Sequence, residues 1–154
     1  MQCRGIEPHF QYLLGARNYF EKVLRDKLKQ KEYSEVAIQY TIDKLKQYNY
    51  IDDSRLTEAF INDKKRFSKK GPRYIANALR IKGVDSETIK LSLEKSYDKD
   101  EAYENCKALA LKKVDYYRRK TSDQYTFKGK MYGFLAQRGF NSEVIRSVLE
   151  DIET

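Results

Sequence analysis

The chain has 154 residues, 40% hydrophobic and 35% charged, with a formal net charge of +8. Seven Gly and two Pro are too little turn punctuation for an all-β protein, and the apolar content is enough for one ordinary domain or a few small modules sharing a core. No apolar run approaches the ~20 residues of a membrane span, and an isoelectric point near 9.3 points to polyanions, or proteins sitting on them, as partners.

The first ten residues, "MQCRGIEPHF", lack the apolar core of a signal peptide. Cys3 and Cys106 match no metal or redox spacing, so reduced thiols and a cytoplasmic location are expected. His9 is the only histidine and reads as a surface residue. A first helix is expected from Phe10 to about Arg17, interrupted by Gly15.

Three segments then align without a gap: Leu24 to Leu45, Ile75 to Ser96 and Met131 to Ile152. Apolar residues fall in register at Leu24/Ile75/Met131, Leu28/Leu79/Leu135, Tyr33/Val84/Phe140, Ile38/Ile89/Ile145 and Ile42/Leu93/Leu149. A base occupies one shared slot, as Lys31, Lys82 and Arg138. Each segment reads as two helices and a tight turn. The first helix of a pair ends at Gly83 or Gly139, where a left-handed residue favours Gly. Glu32 stands at that place in the first copy, which leaves another turn geometry open there. The second helix starts at Ser34, Asp85 or Asn141, all good N-caps, with Glu35, Glu87 or Glu143 in its first turn.

A further helix precedes each pair. Asp52 or Asp53 can cap a helix running to about Phe67, with Leu56, Phe60 and Phe67 on one face. Gly71 and Pro72 then form a turn, with Gly71 supplying backbone freedom and Pro72 at the first helical position. A long helix from about Lys99 to Lys120 carries Tyr103, Cys106, Ala110, Val114 and Tyr117 along one stripe. The expected architecture is all-α: three tandem three-helix, helix-turn-helix-like repeats stacked into an elongated, curved array, with units at 1–51, 52–98 and 99–154.

Nothing in the chain reads as an enzyme. "GKMYG" has no Gly-rich loop before it and is not a phosphate-binding motif. The adjacent carboxylates Asp52 and Asp53 point about a quarter-turn apart on a helix, which suits capping better than chelation. No catalytic residue, metal site or cofactor is expected. The basic groups are the remaining signal. Lys64 to Gly83 holds eight Lys or Arg and no Asp or Glu. One cluster is Lys64, Lys65, Arg66, Lys69 and Lys70, continuing to Arg73, Arg80 and Lys82. The second is Lys112, Lys113, Arg118, Arg119 and Lys120, beside Tyr116 and Tyr117. Cations at helix C-termini have a purely structural reason, and a Lys-rich face is often only solvated. Two clusters at equivalent places on a net basic chain favour phosphate contacts, which give affinity without sequence reading.

"YNYIDDSRLTEAF", "KKGPRYIANALRIKGVDSETI" and "FLAQRGFNSEVIRSVL", in that order, resemble the RecX family, regulators of the RecA recombinase. The resemblance runs from about Phe10 to Ile152. In the first unit Phe20 and Val23 stand where the family tends to carry Ser and Glu. The resemblance implies a non-enzymatic protein that binds the recombinase filament on DNA and lowers its ATPase and strand-exchange activity, and a monomer is expected. The expected binding set for filament or DNA is Lys64, Lys65, Arg66, Lys69, Lys70, Arg73, Lys82, Arg118, Arg119 and Lys120. The alternative is a sequence-independent nucleic-acid-binding protein with no recombinase partner, and a third reading is a helical adaptor.

Overall fold

The computed structural model describes residues 19–153, and the expected helix from Phe10 to Arg17 lies outside them, as do Cys3 and His9. Eight helices follow: α1 (Glu21–Gln30), α2 (Glu35–Gln47), α3 (Asp53–Phe67), α4 (Pro72–Ile81), α5 (Ser86–Ser96), α6 (Lys99–Lys120), α7 (Gln124–Gln137) and α8 (Ser142–Glu153). No strand occurs among the described residues.

The repeat is visible at the level of single hydrogen bonds. Ser34, Asp85 and Asn141 each accept the N–H three residues on, from Ala37, Thr88 and Val144. Each preceding turn closes with the same two backbone bonds. Tyr33, Val84 and Phe140 donate to the carbonyls of Leu28, Leu79 and Leu135, and Glu32, Gly83 and Gly139 donate to Lys29, Arg80 and Ala136. That is the Schellman closure, which needs a left-handed residue at its centre. Gly83 (φ 89°) and Gly139 (φ 99°) supply it, and Glu32 adopts the same geometry at φ 64°. The first turn therefore has no geometry of its own. It keeps the shared one with a side chain that tolerates it less well.

Of the fifteen register positions, all but Tyr33 and Leu93 are buried. They fill three cores. One lies between α1 and α2, around Leu24, Leu28, Ile38, Ile42 and Leu45. A second lies among α3, α4 and α5 and includes Ile61, Ile75, Leu79 and Ile89. The third lies among α6, α7 and α8, around Cys106, Ala110, Met131, Leu135 and Ile145. None of these short amphipathic helices can bury its apolar stripe alone, so each group closes on itself and then docks on its neighbour. On α3 the buried stripe is Leu56, Thr57 and Ile61, with Phe60 half-buried beside it. Phe67 is 80% exposed and does not belong to that face.

Two joints connect the groups. At the first, Asp52 caps its own helix through Arg55 N–H, while Asp53 accepts the Glu21 N–H at 3.0 Å. The side chain of Asp53 thus caps α1, whose own N-cap residue Phe20 offers no acceptor and instead enters the second core. Burial raises the Asp53 carboxyl above its ordinary value. At the second joint, the Gly71 N–H donates to the Arg138 carbonyl at 2.8 Å and the Arg73 N–H to the Gly139 carbonyl at 3.0 Å. Gly71 has an ordinary φ of −77°. Backbone freedom is therefore not why glycine is needed there. A Cβ would fall 2.4 Å from both the carbonyl carbon and oxygen of Gly139.

Candidate functional site

The basic residues are placed by these joints, and the structure sorts them. Lys65 is engaged internally. Its ammonium donates to the Ser96 carbonyl and to Glu101 Oε1 at 2.9 Å, and its side chain is 14% exposed. It lies over the Tyr97 ring, and its own carbonyl accepts from Asn105 Nδ2. Tyr97 completes the knot by donating to the Lys70 carbonyl and accepting from Asn105. Burial pushes the Tyr97 hydroxyl up to about 12. Lys65 therefore clips α3 to the start of α6, and its ammonium is engaged by internal contacts.

Arg66 and Lys69 line a cleft with Asp98, Asp100, Glu101 and Glu104 from the start of α6, so carboxylates face them. Lys82 sits over the rings of Phe20 and Phe60, at 5.8 and 5.6 Å, and covers the first joint. Lys64 and Lys70 remain without a carboxylate partner among the described residues, as does Arg138. Arg73 is exposed and lines an open cleft of about 630 Å³ with Tyr74, Asn77, Ile81 and Gln137, between α4 and the end of α7.

The second cluster does not join the first. Lys65 meets Glu101 in the first turn of α6, whereas Arg118, Arg119 and Lys120 occupy its last turn. Eighteen residues of helix rise separate Glu101 from Arg119, about 27 Å. Arg118 lies over the Phe127 ring and Arg119 donates to the Asp115 carbonyl. Lys120 and Lys113 both lie over Tyr116, at 4.7 and 5.3 Å. A hydrogen bond from Lys120, its charge, and the charges of Lys113 and Lys130 lower the Tyr116 hydroxyl below its ordinary value. Lys113, Lys130 and Arg138 were not in the expected set. The repeat register pointed to Arg138, since it shares the slot of Lys31 and Lys82. Nothing in the local sequence pointed to Lys130, which α7 brings beside the end of α6.

No group of three or more His, Cys, Asp or Glu among the described residues is placed to hold a metal ion. Cys106 is fully buried, and burial pushes its thiol up to about 12, which makes it inert as a nucleophile. No helix among the described residues is long and apolar enough to cross a membrane.

Fold and surface together define an all-α repeat protein with two cationic patches set a long helix apart. The family descriptions of the RecX first, second and third three-helix domains match residues 12–45, 52–93 and 99–149. Regulatory protein RecX of Clostridium beijerinckii is 39% identical over 135 residues, 86% of this chain and 61% of that one. Regulatory protein RecX of Chlorobium phaeobacteroides is 36% identical over 140 residues, 91% of this chain and 88% of that one. The crystal structure of RecX from Lactobacillus salivarius superposes with a TM-score of 0.86 at 22% identity, covering 99% of this chain and 97% of that one, a likeness of fold. The chain belongs to the RecX family. It spans about three-fifths of the length of the clostridial relatives it matches.

Proposed function

We propose that this protein binds the filament that a RecA-type recombinase forms on DNA and lowers its ATPase and strand-exchange activity. The observation that carries the reading is the separation of the two cationic patches by a rigid 22-residue helix. Patches near opposite ends of a helix that rises about 27 Å from Glu101 to Arg119 suit a ligand with repeating negative charge, such as a nucleoprotein filament, better than a compact one. Family membership supports the same reading, because the matching relatives are named regulatory proteins. The units of the proposal are 1–51, 52–98 and 99–154. Its contact set is Lys64, Arg66, Lys69, Lys70, Arg73 and Lys82 on one patch, and Arg118, Arg119 and Lys120 on the other. The protein acts as a cytoplasmic monomer without a catalytic residue of its own.

The test is DNA-dependent ATP hydrolysis by the recombinase at increasing amounts of this protein. Suppression at substoichiometric amounts is expected. Undiminished hydrolysis at saturating protein, with filaments forming normally, sinks the proposal.

A further inference from the structure

Lys64 and Lys70 lie six residues apart around the end of α3, Arg138 lies at the end of α7, and the second joint brings the two places together. The Lys70 N–H donates to the Lys64 carbonyl at 3.1 Å, and the next N–H, of Gly71, donates to the Arg138 carbonyl at 2.8 Å. Each of the three cationic side chains lies against a ring: Lys64 over Phe60 at 5.5 Å, Lys70 over Tyr74 at 4.3 Å, and Arg138 over Phe134 at 5.1 Å. None has an ion pair among the described residues.

The ordinary structural reason for cations here is the partial negative charge at the ends of α3 and α7. It is weakened in this case. The Lys64 carbonyl already accepts from Lys70 N–H and Ser68 Oγ, and the Arg138 carbonyl accepts from Gly71 N–H. Arg138 and Lys64 are near enough for their charges to act on Lys70, and no carboxylate among the described residues pairs with any of the three. Partial burial, Arg138 and Lys64 together hold the Lys70 ammonium below the ordinary lysine range.

We infer that Lys64, Lys70 and Arg138 form a binding site for a phosphate group, and that its ligand is the phosphodiester backbone of DNA. The site rests on the reading above, in which the protein works on a DNA-bound filament, and assigns one of its contacts to the DNA itself. Like charges brought together against aromatic faces repel until an anion enters, and two ammonium groups with one guanidinium suit the oxygens of a phosphate. The backbone bonds that hold the three residues do not depend on their side chains, so the charges can be removed without undoing the joint.

The experiment measures the affinity of wild type and Lys70→Gln/Arg138→Gln for a labelled oligothymidylate across a chloride series, with helicity checked by circular dichroism. Lys90→Gln, an exposed change on α5, runs alongside. Losing one phosphate contact on a single strand makes the plot of log affinity against log salt shallower by about 0.7. That change is expected in the double variant and not in Lys90→Gln. In a second arm, chloride is replaced by inorganic phosphate at equal ionic strength and the melting temperature is followed. A rise in wild type that the variant loses, with the slope unchanged, moves the site to free phosphate and overturns the DNA assignment. An unchanged slope with no phosphate effect, a wild type that does not bind the oligonucleotide, or an equal change in Lys90→Gln overturns the site. Recombinase ATPase is read on the same proteins. Suppression that persists when the slope fails to change leaves the filament reading standing without this site. A shallower slope with no suppression by wild type leaves the site standing without the filament.

Discussion

Gly71 and Gly139 meet backbone to backbone: a Cβ on Gly71 would lie 2.4 Å from the Gly139 carbonyl carbon and oxygen. The contact docks the α3–α4 turn on the α7–α8 turn, so it sets how the second and third helix groups sit together. It also brings Arg138 beside Lys70, which neither turn could do alone.

Gly71→Ala should therefore destabilise the chain by about 1–3 kcal/mol through overpacking. Gly139→Ala should cost more, because its φ of 99° adds left-handed strain to a 2.4 Å contact with the Tyr74 nitrogen. Urea melts of the two variants give the order. A Gly71→Ala protein as stable as wild type would mean that the turns do not touch in solution.

Glu32 holds the same left-handed position as Gly83 and Gly139. Glu32→Gly should raise stability by about 0.5–1 kcal/mol: relief of strain exceeds the added freedom of the unfolded chain. The readout is a thermal melt. A lower melting temperature would show that the Glu32 side chain contributes something that the turn geometry does not reveal.

Lys65→Met should cost about 1–2 kcal/mol, below the full worth of a charged hydrogen bond because Glu101 is 45% exposed. Binding to DNA or filament per folded molecule should stay at the wild-type level. A stable Lys65→Met protein with weakened binding would return Lys65 to the contact surface.

Lys69→Glu with Lys70→Glu reverses two charges at the second joint. Affinity for DNA or filament should drop about tenfold or more at low salt, and the difference should shrink as salt rises. Helicity should be unchanged, because the Lys70 backbone keeps its bonds to Lys64 and Tyr97. Circular dichroism paired with a binding titration separates lost charge from lost fold.

Alkaline pH should destabilise the fold. Burial raises the Cys106 thiol from 9.0 to about 12, and the Tyr97 hydroxyl from 10.0 to about 12. Between those values the unfolded chain has released protons that the native chain still holds, so unfolding free energy falls as pH rises through the window. Melts from pH 8.5 to 11 should show this decline, and Cys106→Ala combined with Tyr97→Phe should flatten it. An equally steep decline in that variant would assign the effect to other groups.

The amino-acid sequence by itself determined the paired helices, the caps that open the second helix of each pair and the repeat register. Those depend on contacts within a few residues: Ser34, Asp85 and Asn141 cap helices that begin beside them, and apolar spacing declares which stripe is buried. The two patches of charge were equally legible, because composition is local. The tertiary structure alone decided what each charge does. Lys65 and Lys64 are neighbours in the chain, yet one is held by Ser96 and Glu101 and the other has no carboxylate partner among the described residues. Asp53 reads as a cap for its own helix but caps α1, thirty-two residues away. Gly71 reads as a flexible turn residue but is small because Gly139 stands against it. Each of these outcomes depends on packing between groups far apart in sequence, where charge and size act on a neighbour that local pattern cannot name.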